Sequence, residues 1–180
     1  MPLTGKPIVN INISEMLVTT DDVVICTVLG SCVSVCLFTE DESAGGMNHY
    51  ALPELPDVKK DDPLRYGNYS IAQLIKELCA VSGKPAHKLI AKIIGGANNI
   101  ASKTDSHDVG TANVLMAKKV LAEYKIKIIG EELGGDIGRK VLFHVKSGRL
   151  QSAFVGPGFS RPSASKAIGI KKESKKSDAA

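Results

Sequence analysis

The fold turns on residues 23–53: Val23-Val24-Ile25-Cys26-Thr27-Val28-Leu29-Gly30-Ser31-Cys32-Val33-Ser34-Val35-Cys36-Leu37-Phe38 and, after a polar interval, Gly46-Met47-Asn48-His49-Tyr50-Ala51-Leu52-Pro53. Val23 to Leu29 is an unbroken, largely β-branched run, better suited to a strand buried on both faces than to a helix. Gly30-Ser31 interrupts it, Val33 to Phe38 resumes as a second strand, and Gly46 to Leu52 returns as a third after the polar turn region Thr39 to Gly45. Facing residues of an antiparallel pair keep a constant sum of numbers. A tight turn at Glu40-Asp41 opposes Thr39 to Glu42, and the same sum then opposes Cys32 to His49, with Cβ atoms about 4.5 to 5.5 Å apart. A longer turn, or a bulge at Gly45-Gly46, slides His49 along by about 3.4 Å per residue.

Upstream, Ile8-Val9-Asn10-Ile11-Asn12-Ile13 alternates as an N-terminal strand that Met16-Leu17-Val18 extends. Downstream, Leu55 to Gly67 is a loop rich in Pro, Asp and Lys. Asn68 suits a helix N-cap, and Ile71, Leu74, Ile75, Leu78 and Cys79 recur at helical spacing until Gly83-Lys84-Pro85. Leu89 to Ile94 reads as a buried strand that stops at Gly95-Gly96, and Asn98 to Gly110 as a polar loop. Ala112 to Tyr124 makes a second amphipathic helix with Val114, Ala117, Val120, Leu121 and Tyr124 inward. Ile126 to Glu131, Lys140 to Lys146 and Leu150 to Val155 complete the strands, the last two joined at Ser147-Gly148. Strands and helices do not alternate as in a doubly wound parallel sheet, so the expected class is α+β: mostly antiparallel sheet layers with two amphipathic helices packed against them.

A chain of 180 residues builds one core without staples, and we expect one domain over residues 1–158 followed by a disordered basic tail over 159–180. Cys26, Cys32, Cys36 and Cys79 form no CxxC pair or disulfide framework, and no signal peptide precedes them, which points to free thiols in the cytoplasm. No apolar run approaches the roughly 20 residues of a membrane span, so direct insertion is not expected. Arg161, Lys166, Lys171, Lys172, Lys175 and Lys176 against Glu173 and Asp178 account for the whole net charge of +4. A charge-neutral body without Trp is a poor nucleic-acid surface.

Chemistry concentrates at two residues. Cys32 follows Gly30-Ser31 at the head of a strand, where the turn's N–H groups can face an oxyanion, and His49 is the base that a thiol near its free pKa needs. By residue type alone each is more often a packing residue. Cys36 forms only a CxxxC with Cys32, without histidines nearby, which is no metal signature. Cys26 and Cys79 lie in apolar runs, while His87, His107 and His144 read as structural or solvated. Gly95-Gly96 and Gly134-Gly135 lack the Lys and Ser/Thr of a nucleotide loop, and no cofactor is expected.

The runs Leu29 to Leu37 and His49-Tyr50-Ala51-Leu52-Pro53 resemble the CheD family of chemoreceptor glutamine deamidases. Arg65-Tyr66, Lys92 to Ala97, Asp108-Val109-Gly110 with Asn113, Gly134-Gly135 and Gly138-Arg139 extend the resemblance over about residues 8 to 155. It implies a cysteine hydrolase converting glutamines of chemoreceptor cytoplasmic helices to glutamate, and in some members hydrolysing glutamate methyl esters, with Cys32 as nucleophile and His49 as base. It also implies a CheC-type phosphatase partner, and so a second reading as an interaction module. The family's third catalytic residue is a threonine six positions before the cysteine. Cys26 stands there in this chain and Thr27 one residue later. Because adjacent strand residues point to opposite faces, Thr27 is expected to take that role only if the strand is bulged.

Overall fold

The computed structural model describes residues 3, 5–54, 62–98 and 108–156. The expected tail and most of the Leu55 and Asn98 loops lie outside them. Within them the order is β1 (Ile8–Asn10), β2 (Glu15–Thr19), β3 (Val24–Leu29), β4 (Val33–Thr39), β5 (Gly45–His49), α1 (Gly67–Ser82), β6 (Leu89–Gly95), α2 (Val109–Glu123), β7 (Lys127–Leu133), β8 (Arg139–His144) and β9 (Leu150–Phe154). A four-stranded sheet has the order β1-β3-β8-β9 and a five-stranded sheet the order β2-β5-β4-β6-β7. Pairs β1–β3 and β6–β7 are parallel and the other pairings antiparallel. A parallel pair needs a long crossover, and α2 supplies it between β6 and β7.

Two apolar layers hold this α+β architecture together. Ile25, Leu29, Cys36, Phe38, Met47, Ile94, Val141 and Phe143 fill the space between the sheets. Val33, Val35, Leu37 and Tyr50 pack under Ile71, Leu74, Ile75 and Leu78 of α1 and Ala117, Val120 and Leu121 of α2. Strand β4 therefore has a core on each face and all seven of its residues are buried, which is why its sequence reads as continuous apolar rather than alternating.

Several elements differ from the sequence expectation. The N-terminal run divides into β1 and β2, which join different sheets. Between them Ile11 N bonds Cys26 O at 3.0 Å and Ser14 N bonds His49 O at 2.9 Å, with Ser14 at φ 66°, so this short stretch crosses one end of the sandwich. Helix α1 starts at Gly67, one residue before the expected cap, where the chain passes so close to the Tyr50 ring that a Cβ would lie 2.6 Å from it. Tyr124 ends α2 and is 40% exposed rather than inward.

The β4–β5 turn also differs. Thr39 Oγ1 accepts Ser43 N at 3.0 Å and Ala44 N at 3.1 Å, and Glu42 adopts φ 56°, closing a four-residue loop in place of the expected tight turn. Cys36 consequently faces Met47, and Val33 faces Tyr50. His49 therefore stands opposite Ser34, not Cys32. A slip of two residues preserves the face, so Cys32 and His49 still share one side of the sheet as diagonal neighbours, about 7 to 8 Å apart along the backbone and within reach of an imidazole.

Between these pairs the ladder is opened by a side chain. Val35 N bonds not the Asn48 carbonyl but Asn48 Oδ1, at 2.8 Å, and Asn48 Nδ2 donates to Ser70 Oγ of α1 at 2.9 Å. Asn48 is fully buried and ties the strand pair to the helix layer next to His49. Asn48→Ala strands both the Val35 N–H and the Ser70 hydroxyl, so urea titration should show a stability loss of about 2 to 4 kcal/mol. An unchanged midpoint would contradict the wedge.

Candidate active site

Strand β3 carries Ile25, Thr27 and Leu29 on one face, and Ile25 and Leu29 belong to the inter-sheet core. Thr27 points the same way. Its Oγ1 lies 2.7 Å from His49 Nδ1 and 2.8 Å from Ile11 O. A hydroxyl has one proton. Because a carbonyl can only accept, that proton goes to Ile11 O, and the Thr27 oxygen must accept from Nδ1–H. The neutral His49 ring is thereby held as the Nδ1–H tautomer, which leaves the lone pair on Nε2. The ring is 1% exposed.

Thr27 reaches His49 without the expected bulge, for the β3–β8 register runs unbroken from Val24 opposite His144 to Leu29 opposite Arg139. Alternation along β3 decides which residue faces the histidine. The count back from Cys32 crosses the Gly30-Ser31 turn, whose length is independent of that face. Cys26 turns to the other face, and burial raises its thiol pKa against the opposing charge of Lys140.

Cys32 is half-buried at the head of β4 and packs against the inter-sheet core, whereas Gly30 and Ser31 are exposed. Three successive carbonyls of this turn are fixed. Gly30 O accepts Ala97 N at 2.9 Å, Ser31 O accepts Asn113 Nδ2 at 3.0 Å, and Cys32 O accepts Gly96 N at 2.9 Å. Gly95 adopts φ +118°, and a Cβ there would lie 2.3 Å from Cys32 O, so only glycine permits the approach. In a trans peptide C=O and N–H point opposite ways. Fixing these carbonyls inward turns the Ser31 and Cys32 N–H groups outward.

Asn113, in the second turn of α2, also donates to Ala51 O at 2.9 Å, and its backbone carbonyl accepts the Tyr50 hydroxyl at 2.6 Å. One buried carboxamide thus joins the cysteine turn to the chain just beyond the histidine. Burial raises the Tyr50 pKa, and a negative charge on Cys32 raises it further. As site residues Asn113, Gly95 and Asn48 escape spacing arguments, since Asn113 stands 82 residues from Ser31.

The remaining candidates lie elsewhere or are inert. Cys36 is fully buried, and desolvation pushes its thiol far up. Desolvation also raises Cys79 on α1. His144 sits at the opposite end of β3, with Nε2 2.7 Å from Asp22 Oδ1 and Nδ1 2.7 Å from Ser147 Oγ. Asp22 is held below the usual carboxylate range by Lys6 and then His144. His87 is exposed in a 3-10 turn, and His107 is outside the described residues.

The family model described as CheD chemotactic sensory transduction matches residues 51–153. The chain belongs to the CheD family. A relative from Anaeromyxobacter dehalogenans, named a probable chemoreceptor glutamine deamidase CheD, is 35% identical over 80% of this chain and 82% of its own. Relatives with that name from Sulfurimonas denitrificans and Caulobacter vibrioides are 39% and 38% identical, over 81% and 82% of this chain and 92% and 78% of theirs. The CheD match contains the Gly95-Gly96 approach and Asn113, the two clamps on the cysteine turn.

The Asn113 clamp gives a pH-dependent test. Asn113→Asp replaces a donor by a buried carboxyl facing two carbonyl oxygens, which raises the folded-state pKa of that carboxyl above its unfolded value near 3.9. The folded state then holds a proton that the unfolded chain releases. The variant's deficit should therefore grow as pH rises from about 4 to 7. Thermal melts of equal deficit at both pH values would contradict the clamp.

Proposed function

We propose that this chain is a protein-glutamine deamidase acting on glutamines of chemoreceptor cytoplasmic helices in the cytoplasm, through a thioester on Cys32. Support comes from membership of a family whose relatives carry that name, and above all from the 2.7 Å contact of Thr27 with His49 Nδ1. That contact leaves Nε2 as the basic atom on the face that Cys32 shares.

In this reading His49 Nε2 takes the Cys32 proton, and the sulfur attacks the side-chain carboxamide carbon. The resulting oxyanion is met by the outward N–H groups of Ser31 and Cys32, in the Gly30-Ser31 turn. The C–N bond then breaks, and His49 returns its proton to departing ammonia. A water gives one proton to Nε2 while its oxygen attacks the thioester. Glutamate leaves, and the sulfur recovers the proton from His49. A glutamate methyl ester enters the same path with methanol as leaving group. Thr27 touches no reacting atom and holds the ring.

A second reading is an interaction module bound to receptors or to a CheC-type phosphatase. The hydrogen bond between Thr27 and His49 supports the enzymatic reading over it.

Incubation with a chemoreceptor cytoplasmic fragment should convert specific glutamines to glutamate, read by mass spectrometry as a gain of about 1 Da. Cys32→Ala should abolish the conversion, and activity retained in that variant would defeat the proposal. Thr27→Val should lower kcat about 10²-fold with little change in KM, while Thr27→Ser stays near wild type. Equal turnover in all three would remove Thr27 from the machinery.

A further inference from the structure

Ser34 lies on β4 between Cys32 and Cys36 and shares their face toward the other sheet. It is 0% exposed, and its Oγ has no hydrogen-bond partner among the described residues. The register that opposes Val33 to Tyr50 and Cys36 to Met47 sets Ser34 directly across from His49. Cys32 is its neighbour two residues back. A buried hydroxyl without a partner weakens the resting fold, and such groups persist where another state uses them.

We propose that Ser34 is a positioning residue for the Cys32–His49 pair, a hydroxyl that stabilises the thiolate–imidazolium form once the proton has moved from sulfur to ring. A hydroxyl both donates and accepts. It can therefore turn its O–H to the Cys32 sulfur or its oxygen to the ring N–H without moving its backbone. Hydrogen bonds to ions are stronger than those to neutral groups, so the gain falls on the charged pair. Thr27 holds the Nδ1 side of the ring, and Ser34 acts from the neighbouring strand.

Titratable or charged groups also stand on the neighbouring strands. Cys36 shares β4, Glu15 stands opposite His49 on β2 with its carboxylate accepting Asn12 N at 2.7 Å, and Arg139 of β8 donates to Glu132 O at 2.8 Å. Ser34→Ala leaves all of them in place. Where Ser34 has no part in the pair, its removal leaves the Cys32 thiolate unchanged. Where it serves the ion pair, removal replaces an unsatisfied hydroxyl by a methyl group in apolar surroundings, so stability holds or rises while the thiolate suffers.

The inference rests on the cysteine–histidine reading, and one experiment separates the two. The rate of Cys32 alkylation by iodoacetamide is followed against pH, with the site located by peptide mass spectrometry. Wild type should alkylate with a midpoint below the free-thiol value of about 8.5. Ser34→Ala should move that midpoint up by about one unit and slow alkylation about tenfold at neutral pH, with Tm unchanged or higher. Ser34→Thr, which keeps the hydroxyl on a side chain suited to a strand, should stay close to wild type. A Ser34→Ala profile superimposed on wild type, or a lowered Tm without a shifted midpoint, overturns the role of Ser34 alone. A wild-type midpoint at the free-thiol value overturns the cysteine–histidine pair and this proposal with it.

Discussion

The Thr27 hydroxyl has a single proton, and Ile11 O takes it. That constraint makes the oxygen an acceptor, gives His49 its tautomer, and ties together two sheets across a largely apolar interior. Stacked sheets lie about 10 Å apart, a gap that an imidazole from one and a hydroxyl from the other can span. Three segments must be in register for it: β3 carries the threonine, β5 the histidine, and the crossing between β1 and β2 brings Ile11 beside one and Ser14 beside the other. Among the described residues this is where the strand run at the N-terminus acquires a purpose beyond closing the sheet.

The second half of the chain serves the cysteine turn. Strand β6 ends in the Gly95-Gly96 approach, α2 carries Asn113 near its start, and together with Ala97 they hold three consecutive carbonyls of Gly30, Ser31 and Cys32. The β6–α2–β7 crossover thus immobilises a loop far away in sequence. Asn48 and Asn113 act alike in one respect, since each is a fully buried carboxamide substituting for backbone partners where regular ladders stop. Regular pairing would leave no opening for chemistry there.

Much of this was legible in the residues, because the strongest signals are local. The β-branched run of β3, the doubly buried β4 and the apolar stripe of α1 each report their own burial. The shared face of Cys32 and His49 survived a wrong turn length because parity survives a slip of two. The register itself was not legible, since the four-residue loop depends on Thr39 Oγ1 capping Ser43 and Ala44. The facing of Thr27 cannot be counted back from Cys32, because a turn intervenes and residue number carries no facing information through it. The Asn113 clamp is a contact between distant segments and has no local signature at all.

The claim on which the account stands is that Thr27 fixes the His49 tautomer, and side-chain nitrogen NMR reads it directly. Two-bond proton–nitrogen spectra of uniformly labelled protein, above the pH at which the ring is neutral, should show His49 with a protonated Nδ1 and a bare Nε2. In Thr27→Val that pattern should give way to a mixed or Nε2–H tautomer. A wild-type ring protonated on Nε2, or a pattern indifferent to Thr27, would contradict the account.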